Sequence, residues 1–380
     1  MMPDGSQRDL FDVPDDLVYL NTANMSPLLR SVRDAGERAV ARRAAPWRIT
    51  ADDWFSDVER LRELYARVLG ADADGVALVP ATSYGLAVAA KNLTAQPGER
   101  VVVLDDEYPS NYYTWQRFCE RTGATLDVVA REPGQSWAGA VLERIDEGTR
   151  VVAVPNVHWT NGSRLDLVAV AGAARRIGAA FVVDASQSLG AMPLDVLALE
   201  PDFVVAVGYK WLLGPLGLGC LYVSPRHRDG EPLEENWINR AGSEDFAALV
   251  DYTDDYRPGA RRFDVGQRTS FGLVPMAIAA AEQLLEWTVD GIVARLAVVT
   301  GEIAERAASL GFTVAPPEQR GPHMLGIDVP RELAPVLGRS LEERNVVVSV
   351  RGKAIRIAPH LHTTPDDVER FVDALAAAAG

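Results

Sequence analysis

The sequence predicts an α/β fold: a large, doubly wound, mostly parallel sheet followed by a smaller α+β domain. Three observations point there. From residue 76 to residue 223, short continuous apolar runs alternate with segments of helical period. Strands covered on both faces and joined by crossover helices read this way. Two of these runs end abruptly on polar residues: Phe181 to Val183 on Asp184, and Asp202 to Val207 on Gly208-Tyr209-Lys210. Beyond Gly311 the pattern changes to short strands and two helices. In open parallel sheets chemistry gathers at the carboxyl ends of strands, so a carboxylate and an amine are expected on one sheet edge.

The chain has 380 residues, 48% hydrophobic and 24% charged, which is enough for two domains with sizeable cores. Its formal net charge of −15 argues against nucleic acid and anionic membrane surfaces, which call for basic patches. No apolar run has the length of a membrane-spanning helix. The acidic start MMPDGSQRDLFDVPDD does not read as a signal peptide. Cys119 and Cys220 stand far apart in apolar company and make neither a disulfide framework nor a metal cluster. The five histidines show no metal-ligand spacing. The expectation is a cytoplasmic protein without a metal site.

Taken in order, residues 1–25 read as an N-terminal arm, its first dozen residues mobile, with a short strand from Val18 and a polar turn over Asn21 to Asn24. A large domain is expected over 26–272. Pro27 opens a helix, and Arg30 to Arg43 and Trp54 to Leu69 are amphipathic helices broken near Pro46. Val76 to Val79 is a strand leading through Thr82 and Ser83 to a helix from Leu86 to Leu93. Hydroxyls and free N–H groups at a helix start make either an anion cradle or a plain cap. Val101 to Leu104 and Val151 to Pro155 are further strands. The first is followed by Tyr108-Pro109-Ser110-Asn111 and a helix to Arg121, the second by Asn156-Val157-His158-Trp159. Leu165 to Ile177 is the helix leading back to Phe181. After Val223 the chain turns loop-rich up to about residue 260. An interdomain helix from Met276 to Leu310 and a small α+β domain fill 273–380. Its strands are expected at Phe312 to Ala315, His323 to Val329, Val346 to Val350 and Ala354 to Ile357. Its helices are expected at Glu332 to Arg344 and Pro365 to Ala378.

An amine and an acid at neighbouring strand ends suit pyridoxal phosphate. A lysine forms a Schiff base with its aldehyde, and a carboxylate keeps its ring nitrogen protonated. Asp184, Gln187 and Lys210 in Gly-Tyr-Lys, followed by Gly-Pro-Leu-Gly-Leu-Gly, resemble the class V aminotransferase family of fold type I pyridoxal-phosphate enzymes. The resemblance implies Lys210 as Schiff-base lysine with Tyr209 beside it, Asp184 as ring-nitrogen partner, and Gln187 and Asn156 near the phenolic oxygen. It implies Thr82 and Ser83 as phosphate ligands and Tyr108 as the ring stacked on the cofactor, although by itself Tyr108 reads equally as a loop anchor. His158 is a candidate for acid–base work or, alternatively, a structural histidine. Asn24 and Trp159 fall on the substrate side. Gly266 and Gln267 resemble a segment that reaches the phosphate of a neighbouring subunit, implying a homodimer with shared active sites.

Ile355-Arg356-Ile357-Ala358-Pro359 resembles the kynureninase segment whose arginine pairs with the substrate α-carboxylate. A planar guanidinium fork matches that group with two parallel hydrogen bonds, so Arg356 is assigned this role, with Arg351 its nearest competitor. Cysteine desulfurases of this family carry a nucleophilic cysteine on a loop between two strand arginines. Here only residues 352–355 separate Arg351 from Arg356, and none is cysteine. A small amino-acid substrate is implied. It would react through an external aldimine and a quinonoid, with Lys210 taking the α-proton. β-Elimination of a sulfur-containing conjugate is the favoured outcome. Transamination, kynureninase-type hydrolysis and a non-catalytic cofactor-binding scaffold are the alternatives.

Overall fold

The computed structural model describes residues 5–132 and 134–379. A seven-stranded sheet organises the first two-thirds of the chain. The helices α1 (Arg30–Arg43) and α2 (Ser56–Leu69) follow a short strand β1 (Val18–Tyr19). Then come β2 (Val76–Val79), α3 (Thr82–Asn92), β3 (Arg100–Leu104), α4 (Pro109–Thr122), β4 (Thr125–Val129) and α5 (Trp137–Leu142). They are followed by β5 (Thr149–Pro155), α6 (Leu167–Ile177), β6 (Ala180–Asp184), α7 (Val196–Leu199), β7 (Phe203–Val207) and β8 (Gly219–Val223). The strand order is β2-β8-β7-β6-β5-β3-β4, parallel except for β8, which runs against both of its neighbours.

Alternation along the strands builds two cores. Val102, Leu104, Val152, Val154 and Val183 face α2, α6 and α8 (Leu273–Trp287). Val101, Val103, Val151, Ala153 and Val182 face α3 and α4. Strands buried on both faces leave only their ends for polar groups. In register, Pro155 lies beside Asp184 and Asp184 beside Val205, so the strand ends that carry the candidate residues share one edge.

The remainder is α9 (Val289–Ser309), β9 (Thr313–Val314), β10 (Leu325–Asp328), α10 (Ala334–Glu342), β11 (Val346–Val347), β12 (Ser349–Arg351), β13 (Ala354–Ile357) and α11 (Pro365–Ala379). β12-β13-β10-β9 form an antiparallel sheet with its own core.

Several expectations are corrected. The helix expected from Leu86 starts at Thr82, and the one at Pro27 starts at Arg30. The long interdomain helix is two helices, α8 and α9, broken at Thr288, whose φ of 60° lies in the left-handed region. The Val346 to Val350 strand divides into β11 and β12, which belong to different sheets. β4 and α5 were not expected at all. The N-terminal arm, from residue 5 onward, is packed rather than mobile. Phe11 is buried, Gln7 N–H donates to Leu361 O at 2.7 Å, Arg8 pairs with Asp367 at 2.8 Å, and β1 pairs in parallel with β11. Residues 1–4 lie outside the described residues.

Where the small sheet meets the large one, His323, His360 and His362 are buried around Trp211 and Phe11. Burial holds His323 and His362 down to about 4, and His360 well below its ordinary value. The unfolded chain therefore takes up protons below about pH 6.5 that the folded chain refuses, so stability falls as pH falls. Between pH 6.5 and 5 the expected loss is about 1.5 kcal/mol for each of His323 and His362. Melting temperatures across that range check this. A flat profile would mean that these rings are charged in the fold.

Candidate active site

Lys210 follows β7, two residues after Gly208. A Cβ at Gly208 would stand 2.4 Å from Leu218 O, so only glycine lets the chain turn there under the β8 strand. The lysine is buried, and its Nζ lies 5.4 Å from the Tyr108 ring centroid and 5.8 Å from that of Tyr209. Burial lowers its pKa to about 8, opposed by the Asp184 charge and assisted by Arg356 and Arg351. Asp184 ends β6, and its Oδ1 accepts the Ser186 N–H at 2.9 Å. Burial raises its pKa, while Ser186 and the Lys210 charge hold it down.

A narrow cavity of about 10 Å³ is lined by Lys210, Asp184, Ser186, Gln187, Tyr108, Trp159 and Glu107, among others. Tyr108 precedes the first residue of α4 and meets the Trp159 indole edge-on at 5.7 Å. Trp159 Nε1 donates to Asp106 O at 2.7 Å. Gln187 is committed at both ends of its amide, donating to Ala23 O at 3.0 Å and accepting from Trp211 Nε1 at 3.1 Å. Asn156 is buried at the end of β5, and its backbone N–H lies 3.4 Å from Asp184 O.

Thr82 and Ser83 open α3, which has no side-chain cap at its N-terminus. Thr82 Oγ1 and Ser186 Oγ are 2.8 Å apart, which ties the helix start to the Asp184 turn. Ser83 is exposed. Gly266 N–H donates to Glu234 Oε1 at 2.8 Å, and the Tyr84 hydroxyl donates to the same atom at 2.9 Å. The Gly266–Gln267 turn thus lies beside the first turn of α3 in the same chain.

Arg356, on β13, is buried. Its Nη1 donates to Trp159 O at 2.7 Å, while Nε and Nη2 are buried with no partner among the described residues. Burial, with Arg351 adding to it, lowers its pKa to about 9. An uncompensated buried guanidinium is costly, and a carboxylate supplies the missing acceptors. Asn24 is exposed, its Oδ1 3.5 Å from Arg351 Nη2.

His158 is not brought to this cavity. Its Nδ1 lies 2.7 Å from Thr160 Oγ1 and its Nε2 3.1 Å from Asp105 O, and the ring stacks on Trp137 at 5.3 Å. Glu107 was missed by the sequence reading. It lines the cavity with Oε2 unpartnered, and burial, with the Asp184 charge adding to it, raises its pKa to about 8. That direction favours its uncharged form near neutral pH. Cys119 and Cys220 are buried elsewhere, and burial raises their thiols to about 11 and about 12. Among the described residues no group of three or more His, Cys, Asp or Glu is placed to hold a metal ion, and no helix is long and apolar enough to cross a membrane.

These residues fit pyridoxal phosphate. A desolvated amine, a buried acid and an aromatic ring line one cavity, and an uncapped helix start is tied to it by the Thr82 hydroxyl through Ser186. The comparisons with known proteins agree. The profile of the family described as aminotransferase class-V matches residues 23–370. The uncharacterized aminotransferase YcbU of Bacillus subtilis is 30% identical over 86% of this chain and 85% of its own length. The isopenicillin N epimerase of Streptomyces clavuligerus is 29% identical over 96% of this chain and 95% of its own. Among solved structures, the cystine C–S lyase C-DES in complex with cysteine persulfide has the same fold. Its TM-score is 0.85 at 18% identity, covering 95% of this chain and 98% of that one. The chain belongs to the aminotransferase class-V family, whose members are pyridoxal-phosphate-dependent enzymes.

Proposed function

We propose that the protein is a C–S lyase that releases pyruvate and ammonia from a sulfur-linked amino acid by β-elimination. The observation that carries this reading is that the Lys210 amine and the Asp184 carboxylate line one cavity whose Trp159 wall is bonded to the open Arg356 guanidinium fork, with no cysteine in the lining. Pyridoxal phosphate, when bound, supplies the electron sink that makes an amino-acid α-proton acidic. Arg356 orients the substrate through its α-carboxylate. Lys210, whose pKa is about 8, is suited to take the α-proton near neutral pH. Glu107, its uncharged form favoured there, offers a proton inside the cavity. With both thiols protonated and distant, sulfur leaves with the substrate fragment instead of passing to a protein thiolate.

Transamination is the second reading, favoured by the likeness to YcbU over most of both chains. We place the family's homodimer in the same proposal, with Gly266 and Gln267 reaching a neighbouring subunit's phosphate, a cytoplasmic location, and domains at 26–272 and 273–380. Cofactor-loaded protein is to be incubated with S-substituted cysteines, kynurenine and unsubstituted amino acids, followed by assays for pyruvate, anthranilate and the pyridoxamine form. Pyruvate from the cysteine conjugates is expected. Its absence from all of them would sink the lyase reading, and accumulation of the pyridoxamine form would replace it with transamination.

A further inference from the structure

The chain is acidic, with 53 Asp and Glu against 38 Lys and Arg, and many of its arginines are paired with carboxylates. Arg351 and Arg356 are exceptions. Arg351 donates to its own neighbour's carbonyl, Val350 O, at 2.8 Å and lies 3.5 Å from the neutral Asn24 Oδ1. No ion pair reaches it among the described residues, and burial lowers its pKa.

The hairpin geometry aims both guanidiniums the same way. Arg351 is in register with Ala354, and Arg356 lies two residues further along β13. Paired residues, and residues two apart, share a face of a sheet. The turn between the strands is only Gly352-Lys353, with Gly352 at φ 58°, a left-handed conformation that glycine adopts without strain. Trp159 links the two arginines. Its carbonyl accepts from Arg356, and its indole lies 5.7 Å from the Arg351 guanidinium carbon. That indole also meets Tyr108, over which the Lys210 amine sits. Two guanidiniums therefore contact Trp159, a wall residue of the cavity, without a protein counter-charge among the described residues. One α-carboxylate on Arg356 neutralises only one of them.

We propose that the site selects amino acids with a second anionic group at the far end of the side chain, held by Arg351. The inference rests on the reading in which the substrate is an α-amino acid whose carboxylate meets Arg356. Like charges left adjacent at a site are costly, and an anion placed between or beside them gains most.

S-(carboxymethyl)cysteine and S-(carbamoylmethyl)cysteine have nearly the same shape and differ in that distal charge. Their dissociation constants for the cofactor-loaded protein are to be measured by calorimetry, and KM and kcat by pyruvate release. The wild type is expected to bind the anionic compound about tenfold tighter, with the ratio shrinking as salt is added. Arg351→Gln is expected to bring the ratio close to one, and Arg351→Lys to recover part of it. A ratio near one in the wild type overturns the proposal. So does an Arg351→Gln variant that weakens both compounds equally, because the arginine would then serve the α-carboxylate or the fold. A change of oligomeric state in that variant with an unaltered ratio also overturns it, by assigning Arg351 an acid from a second copy. If neither compound yields pyruvate but the binding ratio holds, the lyase reading fails and anion selection stands.

Discussion

Lys210→Ala is expected to lower turnover by about a thousandfold or more, since it removes both the nucleophile and the base from one atom. It is also expected to remove the visible absorption that the wild-type protein shows with pyridoxal phosphate, while the fold survives. The amine is buried, lies over the Tyr108 ring and donates no hydrogen bond among the described residues. Removing the buried cation relieves its desolvation, and Asp184, which loses the charge that helps hold its pKa down, keeps its bond from Ser186 N–H and takes up a proton more readily in place of that charge. The melting temperature of the cofactor-free variant should therefore equal or exceed that of the wild type. Absorption and a thermal melt on the same sample separate lost chemistry from lost structure. A variant that keeps its visible band and its turnover would move the Schiff base to another lysine and undo the assignment of the site.

Lys210 and Asp184 were legible in the sequence because the sheet leaves little choice. Buried strands such as Phe181 to Val183 tolerate no polar group until they end, so the first acid or amine after them falls on the functional edge. Glu107 was not legible. In Asp105-Asp106-Glu107 it reads as one turn acid among three, and only packing shows that it alone is enclosed while Asp105 and Asp106 face out. The start of α3 was set too late because Thr82-Ser83-Tyr84-Gly85 has the composition of a turn, and the tertiary setting outweighs that propensity. Thr288 sits between two strong helical patterns without Gly or Pro beside it. The break becomes visible only through its backbone angle and the hydroxyl that caps Gly291 N–H at 3.1 Å. His158 looked chemically available because its partners, the Asp105 carbonyl and the Trp137 ring, come from segments far away in the chain.

Asp264→Ala is expected to cost about 3–5 kcal/mol of unfolding free energy, the range for removing one partner from a buried charged cluster. Asp264, Arg62 and Arg268 are all fully enclosed. The carboxylate accepts from Arg62 Nη1 at 3.0 Å and Nη2 at 2.7 Å and from Leu78 N–H at 2.7 Å, with Arg268 Nε 2.9 Å away. Truncation strands two guanidiniums. Glu59 still faces Arg62 at 3.2 Å but is itself shared with Arg261. The consequence reaches the active site. Asp264 grips β2 through Leu78, and Val265 N–H donates back to Leu78 O at 3.0 Å. The strand that delivers Thr82 and the turn that carries Gly266 and Gln267 are therefore clamped together by one carboxylate. Cofactor affinity should fall together with stability. Adding Arg62→Met and Arg268→Met to an Asp264→Leu background should restore much of the stability, since apolar groups of similar volume need no counter-charge. Urea unfolding of the single and triple variants, with the cofactor dissociation constant of each, gives both readings. A single variant that loses less than about 1 kcal/mol would mean that water or Glu59 already satisfies the two arginines, and that the clamp lies elsewhere.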